Sequence, residues 1–215
     1  MSALVRIPSP GSNLEFGEPG DPLVVIIPDW FGRLPWLAPY AEALAHRGLR
    51  VVVLDLYDGV ATIDEGQAER LASGLERSAA LMMVEDAIER GRDEGSDRVG
   101  LIGFALGGGL ALLTAQAGDV DAVVAYTATL ADSEDGIVPC PVLLHFADTD
   151  EWAPGAEPET FIARLQDDET PVTRHDYPGT THSFANATLA DSVDPRAAGL
   201  AFARTATFLL EYLGD

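Results

Sequence analysis

Val99-Gly-Leu-Ile-Gly-Phe-Ala-Leu-Gly-Gly-Gly-Leu-Ala-Leu112 changes character within a few residues. Its first part, residues 99–104, is an apolar run without alternation, the pattern of a strand covered on both faces. Glycines then crowd a turn, and the apolar residues that follow read as a helix over 106–117. Four more runs, at 23–27, 51–54, 122–128 and 142–146, are continuously apolar and rich in β-branched residues. Helix-period stretches lie between and after them, at 35–46, 65–92, 158–165 and 195–213, the last with Pro195 in its first turn and Gly214 just past its end. Strands alternating with helices predict a mostly parallel, twisted sheet with helices on both faces, a three-layer α/β fold. Residues 4–8 and 14–16 read as a weak antiparallel start. No repeat, low-complexity tract or linker interrupts the pattern, so the 215 residues are expected to form one domain.

Composition removes several functions. Thirteen basic residues, all Arg, stand against 35 acidic ones, for a net charge of −22. Such a surface repels phosphate backbones and anionic headgroups, which argues against nucleic-acid and membrane partners. The absence of Lys excludes Schiff-base chemistry and a phosphate-loop lysine. A single cysteine, Cys140, between two prolines, reads as a small buried residue and excludes a disulfide framework or a multi-cysteine metal site. No apolar run suits a signal peptide or a membrane span, so a cytoplasmic protein is expected. Neither a cofactor nor a metal is implied, and a monomer or homodimer would serve.

In open α/β sheets ligands bind beyond the carboxyl ends of the strands, and the turn at 103–109 lies at such an end. Gly103-Phe104-Ala105-Leu106-Gly107 has the frame G-x-Nu-x-G of the nucleophile elbow of α/β-hydrolases, but Ala105 holds the nucleophile position, and a methyl group cannot attack. Two other readings compete: a phosphate cradle, for which the G-x-G-x-x-G spacing is missing, and glycines that only let helix and sheet approach. The downstream partners decide. An acid is expected after a later strand and a histidine after the last one. Asp148 and Asp150 follow the run 142–146, and a shorter strand from Val172, breaking at Pro178-Gly179, leads to His182. His46 and His175 read as surface residues and His145 as a strand histidine.

These residues carry a family resemblance. Ile27-Pro-Asp-Trp-Phe-Gly, Asp55-Leu-Tyr, Gly103-Phe-Ala-Leu-Gly-Gly, Pro141-Val-Leu-Leu-His-Phe-Ala-Asp-Thr-Asp and His182-Ser-Phe-Ala, in that order, resemble the dienelactone hydrolase family of α/β-hydrolases. The resemblance implies the three-layer α/β-hydrolase fold and a small ester or lactone substrate. It implies a Cys or Ser nucleophile at position 105, Asp150 as acid and His182 as base. It also implies oxyanion donors at the backbone amides of Leu106 and Trp30, and an acidic residue, here Asp29, that governs the resting nucleophile. Arg70 and Ser183 correspond to carboxylate-binding residues of the family, whereas the second arginine, expected at 186, is replaced by Asn186. Trp30, Trp36, Tyr40, Trp152 and Phe184 would crowd the same rim and favour an apolar or aromatic ligand.

Ala105 has three explanations: an engineered removal of the nucleophile, a natural relative that only binds its ligand, or chemistry without a covalent intermediate, acid/base or ring-forming. Loss of a triad nucleophile costs on the order of 10⁶ in turnover. An otherwise complete frame around such a loss favours either an engineered replacement or a non-covalent role, and of these a hydrolase whose nucleophile was replaced by engineering is the leading expectation.

Overall fold

A computed structural model describes residues 4–6, 12–151 and 155–214. Nine strands and six helices follow in the order β1 (Leu4–Arg6), β2 (Leu14–Phe16), β3 (Leu23–Ile27), α1 (Leu37–Ala45), β4 (Arg50–Val53), β5 (Val60–Thr62), α2 (Glu65–Gly74), α3 (Arg77–Asp93), β6 (Val99–Phe104), α4 (Leu106–Ala115), β7 (Ala122–Tyr126), β8 (Val142–Thr149), α5 (Pro158–Asp167), β9 (Val172–Thr181) and α6 (Pro195–Leu213). Seven strands form one sheet in the order β2-β4-β3-β6-β7-β8-β9, parallel except for the antiparallel edge strand β2.

Alternate residues of the central strands feed two cores. Val24, Ile26, Ile102 and Val124 pack with Leu37 and Ala41 of α1 and Leu209 of α6. Val25, Leu101, Val123 and Leu144 face the other way, onto Val84 of α3, Leu112 of α4 and Phe161 of α5. This is the predicted α/β-hydrolase architecture: burying both faces is what makes the strands apolar throughout. Among the described residues no helix is long and apolar enough to cross a membrane.

Three expectations change. The stretch 65–92 is two helices, interrupted where Leu75 turns extended with ψ 116° after Gly74, a residue of low helix propensity. The last strand runs ten residues, and Pro178-Gly179 do not end it but break its register with β8: Ala147 pairs with Tyr177 and Thr149 with Thr181, so the two residues sit in a bulge. Pro is tolerated there because the bulge takes it out of the ladder and β9 is an edge strand. Finally, β1 and β2 do not begin the sheet together: β1 pairs with β5 in a separate two-stranded sheet.

Candidate active site

The sheet brings the sequence-predicted groups to one edge. Asp29 follows β3, Ala105 follows β6, Asp150 follows β8 and His182 follows β9, all at carboxyl ends of parallel strands. Strands β3 and β6 are neighbours, and the chain reaches β4 on one side of them and β7 on the other, so the edge between Asp29 and Ala105 is where strand order reverses.

Ala105 sits at φ 47°, ψ −109°, a conformation that costs a non-glycine residue strain. Two glycines make the turn possible. A Cβ on Gly103 would lie 2.1 Å from the Gly107 carbonyl oxygen, and one on Gly107 would lie 2.2 Å from the Ile27 carbonyl oxygen. Helix α4 therefore begins against the backbone of β3 and β6, and the amide of Leu106, its first residue, is among those a helix leaves without an intrahelical acceptor. The Ala105 amide itself donates to the Tyr126 carbonyl at 2.9 Å, tying the elbow to β7.

His182 Nδ1 lies 2.7 Å from Asp150 Oδ1, and both side chains are 14% exposed. This contact fixes the ring and leaves Nε2 on its opposite side. Asp148, the other acid of the strand end, is used differently: it accepts from the Gly179 amide at 2.9 Å, clamping β8 to β9.

Asp29 is 7% exposed and accepts from the Phe31 amide at 3.0 Å and from Asn186 Nδ2 at 2.9 Å. Burial pushes its carboxyl up to about 6, against the opposing effect of those two hydrogen bonds and of the charge of His182. Asn186 is held in turn by the Thr188 amide, which donates to its Oδ1 at 3.1 Å. The residue that breaks the family's arginine pattern thus supports the carboxylate beside position 105.

A strained elbow at the strand-order switch thus stands on the same sheet edge as a carboxylate-bound histidine three strands away. The model of the dienelactone hydrolase family matches residues 15–213. The chain belongs to the dienelactone hydrolase family. It is 32% identical over 213 residues to an Azospirillum brasilense protein named as a carboxymethylenebutenolidase, covering 90% of this chain and 88% of that one. It is 30% identical over 203 residues to the carboxymethylenebutenolidase of Pseudomonas putida, covering 87% and 85%. Among solved structures, a dienelactone hydrolase-like promiscuous phosphotriesterase from metagenomic libraries superposes with a TM-score of 0.83 at 17% identity, covering 99% of this chain and all of that one.

In this dienelactone hydrolase-family member three cavities meet around His182. The largest, about 490 Å³, is bordered at one end by Ala105, Trp30 and His182. A cavity of about 20 Å³ lies between Asp29, Ala105, His182 and Ser183. A third, about 330 Å³, has Glu65, Glu151 and Ser183 in its wall together with Trp30 and Phe31. Other expected site residues are placed elsewhere. Arg70 is exposed on α2 and lines none of these cavities. Trp36 and Phe184 border the smallest cavity but pack inward, on Phe104 at 4.9 Å and on Tyr177 at 4.8 Å between ring centres. Tyr40 turns its hydroxyl to Tyr126 at 3.2 Å, and Trp152 lies outside the described residues. His145 is fully buried, with Nδ1 2.7 Å from the Tyr177 hydroxyl and Nε2 3.0 Å from Thr205 Oγ1; burial holds it well below the usual histidine range. Cys140 is buried too, its thiol pushed up to about 12.

Sequence reasoning missed the walls of the large cavity. Leu106, Gly109, Leu110 and Leu113 of α4 form one side, with Leu75 and Ala80 opposite. The signal was present as i, i+3, i+4, i+7 spacing starting one residue after Ala105, but read alone it is a core-facing stripe.

Proposed function

We propose that this chain is an ester or lactone hydrolase of the dienelactone hydrolase type in which Ala105 stands where a Cys or Ser nucleophile belongs, a replacement of the kind engineered to trap a bound substrate. The observation that carries the reading is the 2.7 Å His182–Asp150 contact beside a positive-φ residue at 105, with Ala105 and His182 bordering the same cavities. With a hydroxyl or thiol at 105, the sulfur or oxygen adds to the substrate carbonyl carbon and its proton passes to His182 Nε2. The carbonyl oxygen takes the negative charge against the amides of Leu106 and Trp30. Collapse expels the alkoxide, which takes the proton back from His182; water then repeats the sequence on the acyl-enzyme and releases the acid. Asp150 keeps the imidazole oriented and balances its charge. Asp29, ionised above about pH 6, disfavours a resting thiolate beside it.

The test is Ala105→Ser and Ala105→Cys. Either is expected to raise hydrolysis of 4-nitrophenyl acetate or an enol-lactone by at least ~10²-fold over the unchanged chain, given the size of the loss when a nucleophile is removed. Folded variants with no gain overturn the reading.

A second reading has its own observation. The cavity of about 20 Å³ between Asp29, Ala105 and His182 is large enough for one water molecule. A water there could add to the carbonyl directly, giving its proton to His182 or Asp29, without a covalent intermediate. Slow turnover by the unchanged chain that rises through pH 6 and disappears in Asp29→Asn supports this; turnover equal to that of His182→Gln ends it.

A further inference from the structure

We propose that the large cavity is an acyl-chain cleft, and that this protein takes neutral esters of aliphatic acids rather than the anionic, carboxylate-bearing lactones the family resemblance implies. The inference rests on the ester-hydrolase reading of the site and specifies its substrate.

The cleft starts at the reacting centre. Ala105, Trp30 and His182 border it, and from there the Leu106, Gly109, Leu110, Leu113 stripe of α4 runs away from position 105. Seven residues of helix carry that wall about 10 Å. Ala72, Leu75 and Ala80, around the break between α2 and α3, also line the cleft, with Thr129 and Leu130 after β7. Apart from His182, the charged side chains in its lining are one pair. Arg77, at the start of α3, pairs with Glu134 at 2.5 Å, and the Glu134 carbonyl accepts from Gln116, just past the end of α4 and its Leu113, which places the pair toward the far end of the α4 wall. The cation in the lining is thus already paired with a carboxylate.

Charge assigns the two ends of an ester. The third cavity lies across His182 from the elbow side, with Glu65, Glu151, Ser183 and Ser192 in its wall. A leaving alcohol, which must stay near the imidazole to collect its proton, suits the side that carries these hydroxyls and carboxylates. The chain on the carbonyl carbon, held with its oxygen at the Leu106 amide, suits the apolar one. Neither family position presents an arginine to a substrate carboxylate: Arg70 lines none of the three cavities, and residue 186 is an asparagine bonded to Asp29.

Gly109 supplies the test. A Cβ there meets no atom within 4 Å, so a larger residue grows into the cleft instead of into the core. Calorimetric titration of the unchanged chain with methyl butanoate, methyl hexanoate and methyl octanoate should show affinity rising about fourfold per added methylene. The rise should level off once the chain reaches the far end, roughly 10 Å along α4. Monomethyl adipate, matched in length to methyl hexanoate but anionic, should bind at least tenfold more weakly. Gly109→Leu should flatten the series while retaining the melting temperature, and Arg77→Ala should let the gain continue to methyl decanoate. A series with no dependence on length, or monomethyl adipate binding as well as methyl hexanoate, overturns the proposal. Because binding is read without turnover, the outcomes separate: an intact series with an inactive Ala105→Ser sinks the hydrolase reading alone, and a flat series with an active Ala105→Ser sinks the cleft alone.

Discussion

At the scale of single residues the least ordinary group is Asp29. Its carboxyl is raised from 3.8 to about 6, so an unfolded chain ionises it at lower pH than the folded one does. The folded state keeps its full relative stability below pH 4 and loses it as pH rises through about 6, in total roughly 3 kcal/mol for a shift of that size. Asp29→Asn should remove the pH dependence. It keeps an acceptor for the Phe31 amide but sets one amide group against the Asn186 side chain, at a cost of about 1 kcal/mol. The variant is therefore expected to be less stable than the unchanged chain at pH 4 and more stable at pH 8, with denaturant unfolding at both values as the measurement. A difference independent of pH would mean that the carboxyl titrates normally. Asn186 carries a lesson of its own: the sequence shows an arginine missing from a pattern, and only the fold shows what the asparagine holds.

Among the elements, α4 carries most of the site, and its glycines serve opposite ends. Gly107 lets the helix meet β3; Gly109 faces the cleft. Gly107→Ala drives a methyl into the Ile27 and Pro28 carbonyl oxygens, both backbone atoms that cannot step aside, and should cost 3 kcal/mol or more, the upper end of overpacking penalties. Gly109→Ala meets open space and should stabilise by up to about 1 kcal/mol through helix propensity. Thermal melts of the two variants, expected to move in opposite directions, check the assignment. The glycine-rich turn itself was legible because a strand-to-helix elbow leaves its spacing in the sequence. Which glycine packs and which opens a cavity was not, since that depends on chain far away in sequence. The same holds for β1, whose partner β5 lies more than fifty residues on, and for the α2–α3 break, which has no proline to announce it. The sheet's main strands were legible from the apolar runs, and with them the strand ends that carry Asp150 and His182; the order in which those strands pair was not.

Over the whole molecule the dominant fact is the net charge of −22. Most of it is unbalanced surface carboxylate, because thirteen arginines cannot neutralise 35 acids, and several of those arginines are already committed inside the fold or to local pairs such as Arg77–Glu134 and Arg98–Asp121. Self-repulsion of this size opposes the compact state, and added salt screens it over a Debye length that falls to about 8 Å near physiological ionic strength. The melting temperature should rise by several degrees between low salt and physiological salt. The same field acts on ligands: it repels monomethyl adipate and leaves methyl hexanoate untouched. Salt should therefore narrow the gap between these two esters by strengthening the anionic one. Screening can remove only the long-range part, however, and the missing arginine contact and the apolar wall beside Leu110 and Leu113 remain. A gap that closes completely with salt would locate the discrimination in the surface field; a gap that persists locates it in the cleft.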